Sequence, residues 1–189
     1  MTVDAIMARL FVALIPPSTV QTELSEIAEP LEGVRWTPAE NIHLTLRFIG
    51  ECDDDKRDRF IDALAAVRVE PFILPVGGVG LFPSRGPAHV LWAGAGRSHP
   101  RLFQLRKQVD EALLHVDPAL EVRSFHPHFT VARLTGQAAP KAIAAWIERH
   151  AALEAPPFRV DSFQLMASAL SPGAPPHYEV VRTFGLRTS

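Results

Sequence analysis

Apolar residues run along this chain in short blocks, and 17 prolines and 11 glycines cut it into compact elements. RLFVALI (9–15) predicts a first strand, ended by Pro16 and Pro17. Ser18 with Gln21 three residues on predicts a capping box and a helix to about Leu31. Alternation over 41–49 predicts a strand. Residues 53–67 predict a helix with acidic residues in its first turn and Phe60, Ala63, Leu64 and Val67 on one face. Strands follow over 71–82 and 88–95, joined through PSRG. A helix starting at Ser98–Pro100 carries the stripe Leu102, Leu105, Val109, Ala112 and Leu113. The end of the chain predicts a strand over 127–134, a helix from Pro140 to about His150, and strands over 157–168 and 177–186 separated by the loop SPGAPP.

Strands and helices mix here without a βαβ rhythm, and the chain contains neither GxGxxG nor GxxxxGK. The expected class is α+β with antiparallel sheets. One pattern occurs twice, a helix-containing unit leading into a strand with a His-x-Thr sequence. It predicts two pseudo-equivalent halves, with the chain crossing between them.

Composition narrows the choices. The 189 residues are 47% apolar and 21% charged, as in ordinary globular proteins. The net charge of −2 and pI near 6.4 argue against coating of long nucleic acid, which relies on a strongly basic surface. Cys52 is the lone cysteine, so no intrachain disulfide or thiolate metal cluster forms. The start of the chain lacks a basic leader and is interrupted by Arg9, reading as an extension over residues 1–8 before the first strand, with Met7 an alternative start. No apolar stretch approaches the roughly 20 residues that span a bilayer. A cytoplasmic location is expected.

The chemistry lies in the repeated pattern. Side chains at i and i+2 of a strand share a face. In NIHLTLRFIG (41–50), Ile42, Leu44, Leu46 and Phe48 are expected on one face and His43, Thr45 and Arg47 on the other. In FHPHFTVARL (125–134), Phe129 and Val131 oppose His128 and Thr130. Eight His and nine Thr in this length give about 0.4 His-x-Thr pairs by chance, so the spacing alone is weak and the matched setting carries the weight. Two imidazoles across a groove serve as acid and base near neutral pH, and two hydroxyls with a nearby arginine hold a phosphate.

The surrounding words extend the match. ARLFVALIPP, RWTPAENIHLTLRFIGE, GLFPSRGPAHVLWAGA, FHPHFTVARL and LMASALSPGAPPHYEV together resemble the two-histidine (2H) phosphoesterases, and within them the RNA 2′,3′-cyclic phosphodiesterases, also called 2′–5′ RNA ligases. The resemblance covers 9–186. It implies a single bilobal domain over 1–189: two pseudo-symmetric lobes, each an antiparallel sheet with outer helices, around a central cleft into which each lobe sends one HxTx strand. It also implies hydrolysis of an RNA 2′,3′-cyclic phosphate to a 2′-phosphate, with possible reversible 2′–5′ ligation, and without cofactor or metal. His128 would act as general base and His43 as general acid, while Thr45, Thr130 and Arg133 would bind the phosphate. Strict alternation puts Arg133 on the face opposite His128, so a bulge or the strand end must turn it inward. The implied partners are RNA ends or short oligonucleotides bearing the cyclic phosphate, with no membrane and no obligatory protein partner.

Two other classes stay open. One is a metal-dependent phosphohydrolase built on the His126–His128 pair and a further ligand. The other is a noncatalytic RNA-end-binding module. Trp92 and Trp146 are expected in the core, and His115 and His150 near helix C-termini are expected to be structural. Trp36 or Phe48 would pack in the core or stack on a base. Arg9, Arg35, Arg47 and Arg85 are candidates for the rim of the cleft.

Overall fold

The computed structural model describes residues 8–96, 99–122, 124–169 and 177–187. The expected extension before the first strand, apart from Ala8, and the SPGAPP loop lie outside them. The elements run β1 (Ala8–Leu14), α1 (Ser18–Glu26), β2 (Val34–Trp36), a 3-10 turn (Ala39–Asn41), β3 (Leu44–Cys52), α2 (Asp54–Leu64), β4 (Phe72–Phe82), β5 (Val90–Ala95), α3 (Pro100–Val116), β6 (His128–Leu134), α4 (Pro140–His150), β7 (Glu154–Val160), β8 (Ser162–Ala169) and β9 (His177–Gly185).

The strands form one antiparallel sheet in the order β7-β4-β5-β6-β3-β1-β8-β9, with β2 paired to β6. Two four-stranded halves meet at the centre, where the β3–β6 register is the single pair Leu44↔Phe129. The α+β class with antiparallel pairing is as the sequence predicts, and the two halves are sectors of one continuous sheet. One hydrophobic cluster runs through both halves, from Leu10 and Phe60 to Phe158 and Phe184. Because β3 and β6 sit side by side at the seam, residues at the starts of these two strands are brought together.

Several local expectations change. The capping box at Ser18 does not form: Pro17 is the N-cap without a side-chain bond, and α1 stops at Glu26. Gln21 instead donates from Nε2 to the carbonyl of Ile42 at 3.1 Å, tying α1 to the residue before His43. Asp53 does cap α2, accepting from the Lys56 amide at 2.8 Å. The apolar stretch 157–168 is two strands. β7 pairs with β4 and β8 with β1, so the chain crosses between the halves at Asp161. The apolar phase slips here, from Phe158 and Val160 to Phe163 and Leu165, and the change of partner coincides with that slip. β2 is a three-residue strand without enough pattern to announce itself.

Candidate active site

Both histidines are held in the same way. Nδ1 of His43 lies 2.7 Å from the carbonyl of Asn41, and Nδ1 of His128 lies 2.6 Å from the carbonyl of His126. The acceptor is the backbone two residues earlier in each case. A carbonyl only accepts, so Nδ1 carries the proton of each neutral ring and Nε2 remains for chemistry. Aromatic rings fix the remaining freedom. His43 sits 5.0 Å from Phe11 and 5.0 Å edge-on to Tyr178, and His128 sits 5.0 Å edge-on to Phe82. Phe11 and Tyr178 pack with Ala13 and Met166 in a small second cluster on the cleft side of the sheet.

The alternation that places His43 beside Thr45, and His128 beside Thr130, holds as far as the threonines. It then breaks in both strands at the same offset. In β3, Ala13 pairs with Thr45 and Val12 with Arg47, so Leu46 is an extra residue. In β6, Trp92 pairs with Thr130 and Leu91 with Ala132, so Val131 is an extra residue. Each bulge lies three residues after its histidine, and each reverses the parity beyond it. Leu46 and Arg47 are therefore both buried, as are Val131 and Ala132. Residue i+5 returns to the histidine face: Phe48 in β3, 62% exposed, and Arg133 in β6, also exposed. The bulge needed to turn Arg133 inward is present.

The same bulge overturns two expectations for β3. Arg47 is not at the cleft. It is 3% exposed and ion-pairs through Nη1 with Asp110 Oδ1 at 3.2 Å. Phe48 leaves the apolar face and lies 6.2 Å from Phe11 on the cleft side. The interior network explains how the kink is held. Arg106 donates from Nη1 to the carbonyl of Leu46, the bulge residue, and from Nε to Asp110 Oδ2 at 2.6 Å. Two guanidiniums and one carboxylate thus occupy the space under the bulge and satisfy a carbonyl that the ladder gives up.

The electrostatics of the two rings match. Burial lowers the pKa of His43, and positive charge on His128 and Arg133 lowers it further, against the opposing Asn41 carbonyl bond. Burial also lowers His128, with His126 and Arg133 adding to it, against the His126 carbonyl bond. The field of Arg133 therefore reaches both histidines. It also reaches Tyr178, whose phenol burial pushes up while Arg133 draws it down. Within the described residues, no hydrogen bond engages the Thr45 or Thr130 hydroxyl, and no carboxylate pairs with Arg133. Arg35 stands opposite Arg133 in the β2–β6 register, and cross-strand partners share a face.

Other candidates settle elsewhere. Trp36 donates to the carbonyl of Glu29 at 2.6 Å and packs 5.5 Å from Trp146, within the scaffold. Trp146 is fully buried, whereas Trp92 is half-buried and lines the groove beside His128. Gly80 makes that possible, because a Cβ there would lie 2.1 Å from the Trp92 ring. Arg9 pairs with Glu51 at 3.0 Å, and His150 meets Glu29 at 3.0 Å. Among the described residues no three His, Cys, Asp or Glu side chains are grouped to hold a metal ion, and no helix is long and apolar enough to cross a membrane. Sequence reasoning missed Phe11 and Phe82, because an aromatic in a strand reads as core until its neighbours are known.

The chain has counterparts among known proteins. The chain is 30% identical over 179 residues to an RNA 2′,3′-cyclic phosphodiesterase of Archaeoglobus fulgidus, covering 93% of this chain and 99% of that one. It is 33% identical over 191 residues to a protein of the same name from Thermus thermophilus, covering 95% and 90%. A crystal structure of a Thermus thermophilus protein superposes with a TM-score of 0.80 at 26% identity, over 95% of this chain and 98% of that one. The family model described as LigT like phosphoesterase matches twice, over residues 14–92 and 97–176, one match for each His-x-Thr strand. The chain belongs to the LigT-like family of 2H phosphoesterases.

Proposed function

We propose that this protein hydrolyses the 2′,3′-cyclic phosphate at an RNA end and leaves a 2′-phosphate, with both halves acting as one catalytic domain. The observation that carries the reading is the repeated hold on the two imidazoles: each Nδ1 is bound to the carbonyl two residues back, which leaves a matched pair of Nε2 atoms beside Arg133. Neutral His128 takes a proton from the attacking water. Protonated His43 gives its proton to the departing 3′ oxygen. The hydroxyls of Thr45 and Thr130 donate to the nonbridging phosphate oxygens, and Arg133 neutralises charge that builds up on them. Positive charge comes from Arg133 and the His43 imidazolium, so the scheme runs through side chains alone. Phe48 offers a flat, exposed ring beside Phe11 for the nucleobase. The same steps with an RNA 5′-hydroxyl in place of water form a 2′–5′ linkage.

The relatives' shared name supports the substrate class. The test is to incubate 2′,3′-cyclic AMP with purified protein in the presence of chelator and without ATP, and to separate the products by chromatography. Appearance of 2′-AMP is expected. A 3′-AMP product contradicts the acid–base assignment, a metal requirement favours a ligand set at His126 and His128, and no turnover with intact binding favours an RNA-end-binding module.

A further inference from the structure

A groove of about 660 Å3 opens beside His128. That size falls within the roughly 300–1,000 Å3 of small-molecule sites. Its walls include Phe82, Trp92, Phe125 and His126, its floor is glycine backbone at Gly77 and Gly78, and Glu154 and Pro157 of β7 border it. His43, Thr45, Phe48 and Arg133 do not line it. Among the described lining residues there is no lysine or arginine, and Glu154 is acidic. Away from His128, such a surface offers a phosphate no arginine or lysine to pair with. It suits an uncharged ring system, because bases stack on aromatic side chains and present N–H donors to an acidic group.

The position of the groove says which nucleoside it serves. Entering and leaving oxygens lie in line on opposite sides of the phosphorus. In the reading proposed above, on which this inference rests, His43 serves the leaving 3′ oxygen and His128 the entering one. The donor ribose then lies on the His43 side, beside Phe11 and Phe48. Whatever enters comes from the His128 side, where water needs no groove of this size. We propose that the groove seats the first nucleoside of an RNA strand with a free 5′-hydroxyl, the acceptor in 2′–5′ joining, and that Glu154 selects a base with adjacent N–H donors, guanine above uracil. In the joining step the 5′ oxygen forms a bond to phosphorus and its proton passes to Nε2 of His128. The bond from phosphorus to the 3′ oxygen breaks, and that oxygen takes the proton of His43. The products are a 2′–5′ phosphodiester and a free 3′-hydroxyl, and no cosubstrate is consumed.

The test uses the whole protein, a donor oligonucleotide ending in a 2′,3′-cyclic phosphate, and acceptors beginning with 5′-hydroxyl guanosine or uridine. Joined and hydrolysed products are resolved on one gel. The wild-type protein is expected to join the guanosine acceptor at least tenfold faster than the uridine acceptor, and Glu154→Gln to remove most of that preference. Pro157→Trp, which places an indole at the exposed border of the groove, is expected to lower the ratio of joined to hydrolysed product at least tenfold. An unchanged ratio, equal use of both acceptors, or hydrolysis without joining at millimolar acceptor would overturn the inference. A parallel loss of both products in folded Pro157→Trp would overturn it too, by making the groove a donor site. Binding of 5′-O-methylguanosine to wild-type protein, followed by tryptophan fluorescence, gives a readout that needs no turnover. Saturable quenching that Glu154→Gln weakens supports the assignment, and its absence counts against it. A wild-type protein that never opens the cyclic phosphate indicts the proposed function itself.

Discussion

Strands β3 and β6 make an instructive pair. Both start at the seam of the sheet, both fix a histidine by the carbonyl two residues back, and both bulge three residues after it. Beyond the bulge they differ. At the position that returns to the cleft, β3 presents Phe48 and β6 presents Arg133. At the buried position before it, β3 has Arg47 and β6 has Ala132. The backbone device is shared and the chemistry is divided. One half supplies a guanidinium at the cleft, the other a ring, with its own arginine turned into the core. A symmetric frame thus yields a site whose two sides differ, as the proposed reaction, with one entering and one leaving group, requires.

The largest effect should come from the feature the halves share. His43→Ala and His128→Ala are each expected to lower kcat for 2′,3′-cyclic AMP by about 100- to 10,000-fold, while circular dichroism shows a folded chain. A large loss in only one variant would break the equivalence of the halves. Next is the interior network that β6 lacks. Asp110→Ala leaves Arg47 and Arg106 facing each other beneath the Leu46 bulge, and is expected to cost about 3 kcal/mol in urea denaturation. A cost within the ordinary surface range would show that the bulge holds itself.

The division at the cleft can then be probed directly. Arg133→Ala is expected to lower kcat/KM about 10- to 100-fold, in line with loss of a charged hydrogen bond of roughly 1.5–3 kcal/mol, with partial recovery in Arg133→Lys. Phe48→Ala should act on KM more than on kcat, by about tenfold, as loss of a base stack does. Equal effects of the two on kcat would blur the distinction drawn here.

The smallest effect is a shift of the pH profile. Burial and neighbouring positive charge disfavour the protonated form of both rings, so both titrate below the ordinary histidine value of about 6.5. The proposed mechanism needs one ring protonated and one neutral, so kcat/KM should follow a bell with both limbs on the acid side of that value. Bound phosphate opposes the shift, and the limbs of kcat should lie higher. Removing Arg133 should move both limbs of kcat/KM upward, a response that loss of a merely structural residue would not produce.

The amino-acid sequence alone determined what depends on near neighbours. Pleat geometry puts His43 with Thr45 and His128 with Thr130 whatever the partner strand, and the apolar stripe of α3 reads directly as Leu102, Leu105, Val109 and Leu113, all buried. Five ordered stretches point to the 2H phosphoesterases, the family to which the chain belongs. Only the tertiary structure decided what depends on distant ones. The bulge at Leu46 reflects the pairing of β1 with β3 and an arginine 60 residues away on α3. That single insertion sends Arg47 inward and Phe48 outward, against the alternation the letters suggest. In the same way the pairing of β7 with β4 and of β8 with β1 on either side of Asp161 is a tertiary choice, and Trp92 reaches the groove because Gly80 leaves room for its ring. Side-chain parity is a local property of the backbone. The phase of that parity across a sheet is set by the strands and helices packed against it, which a linear reading does not contain.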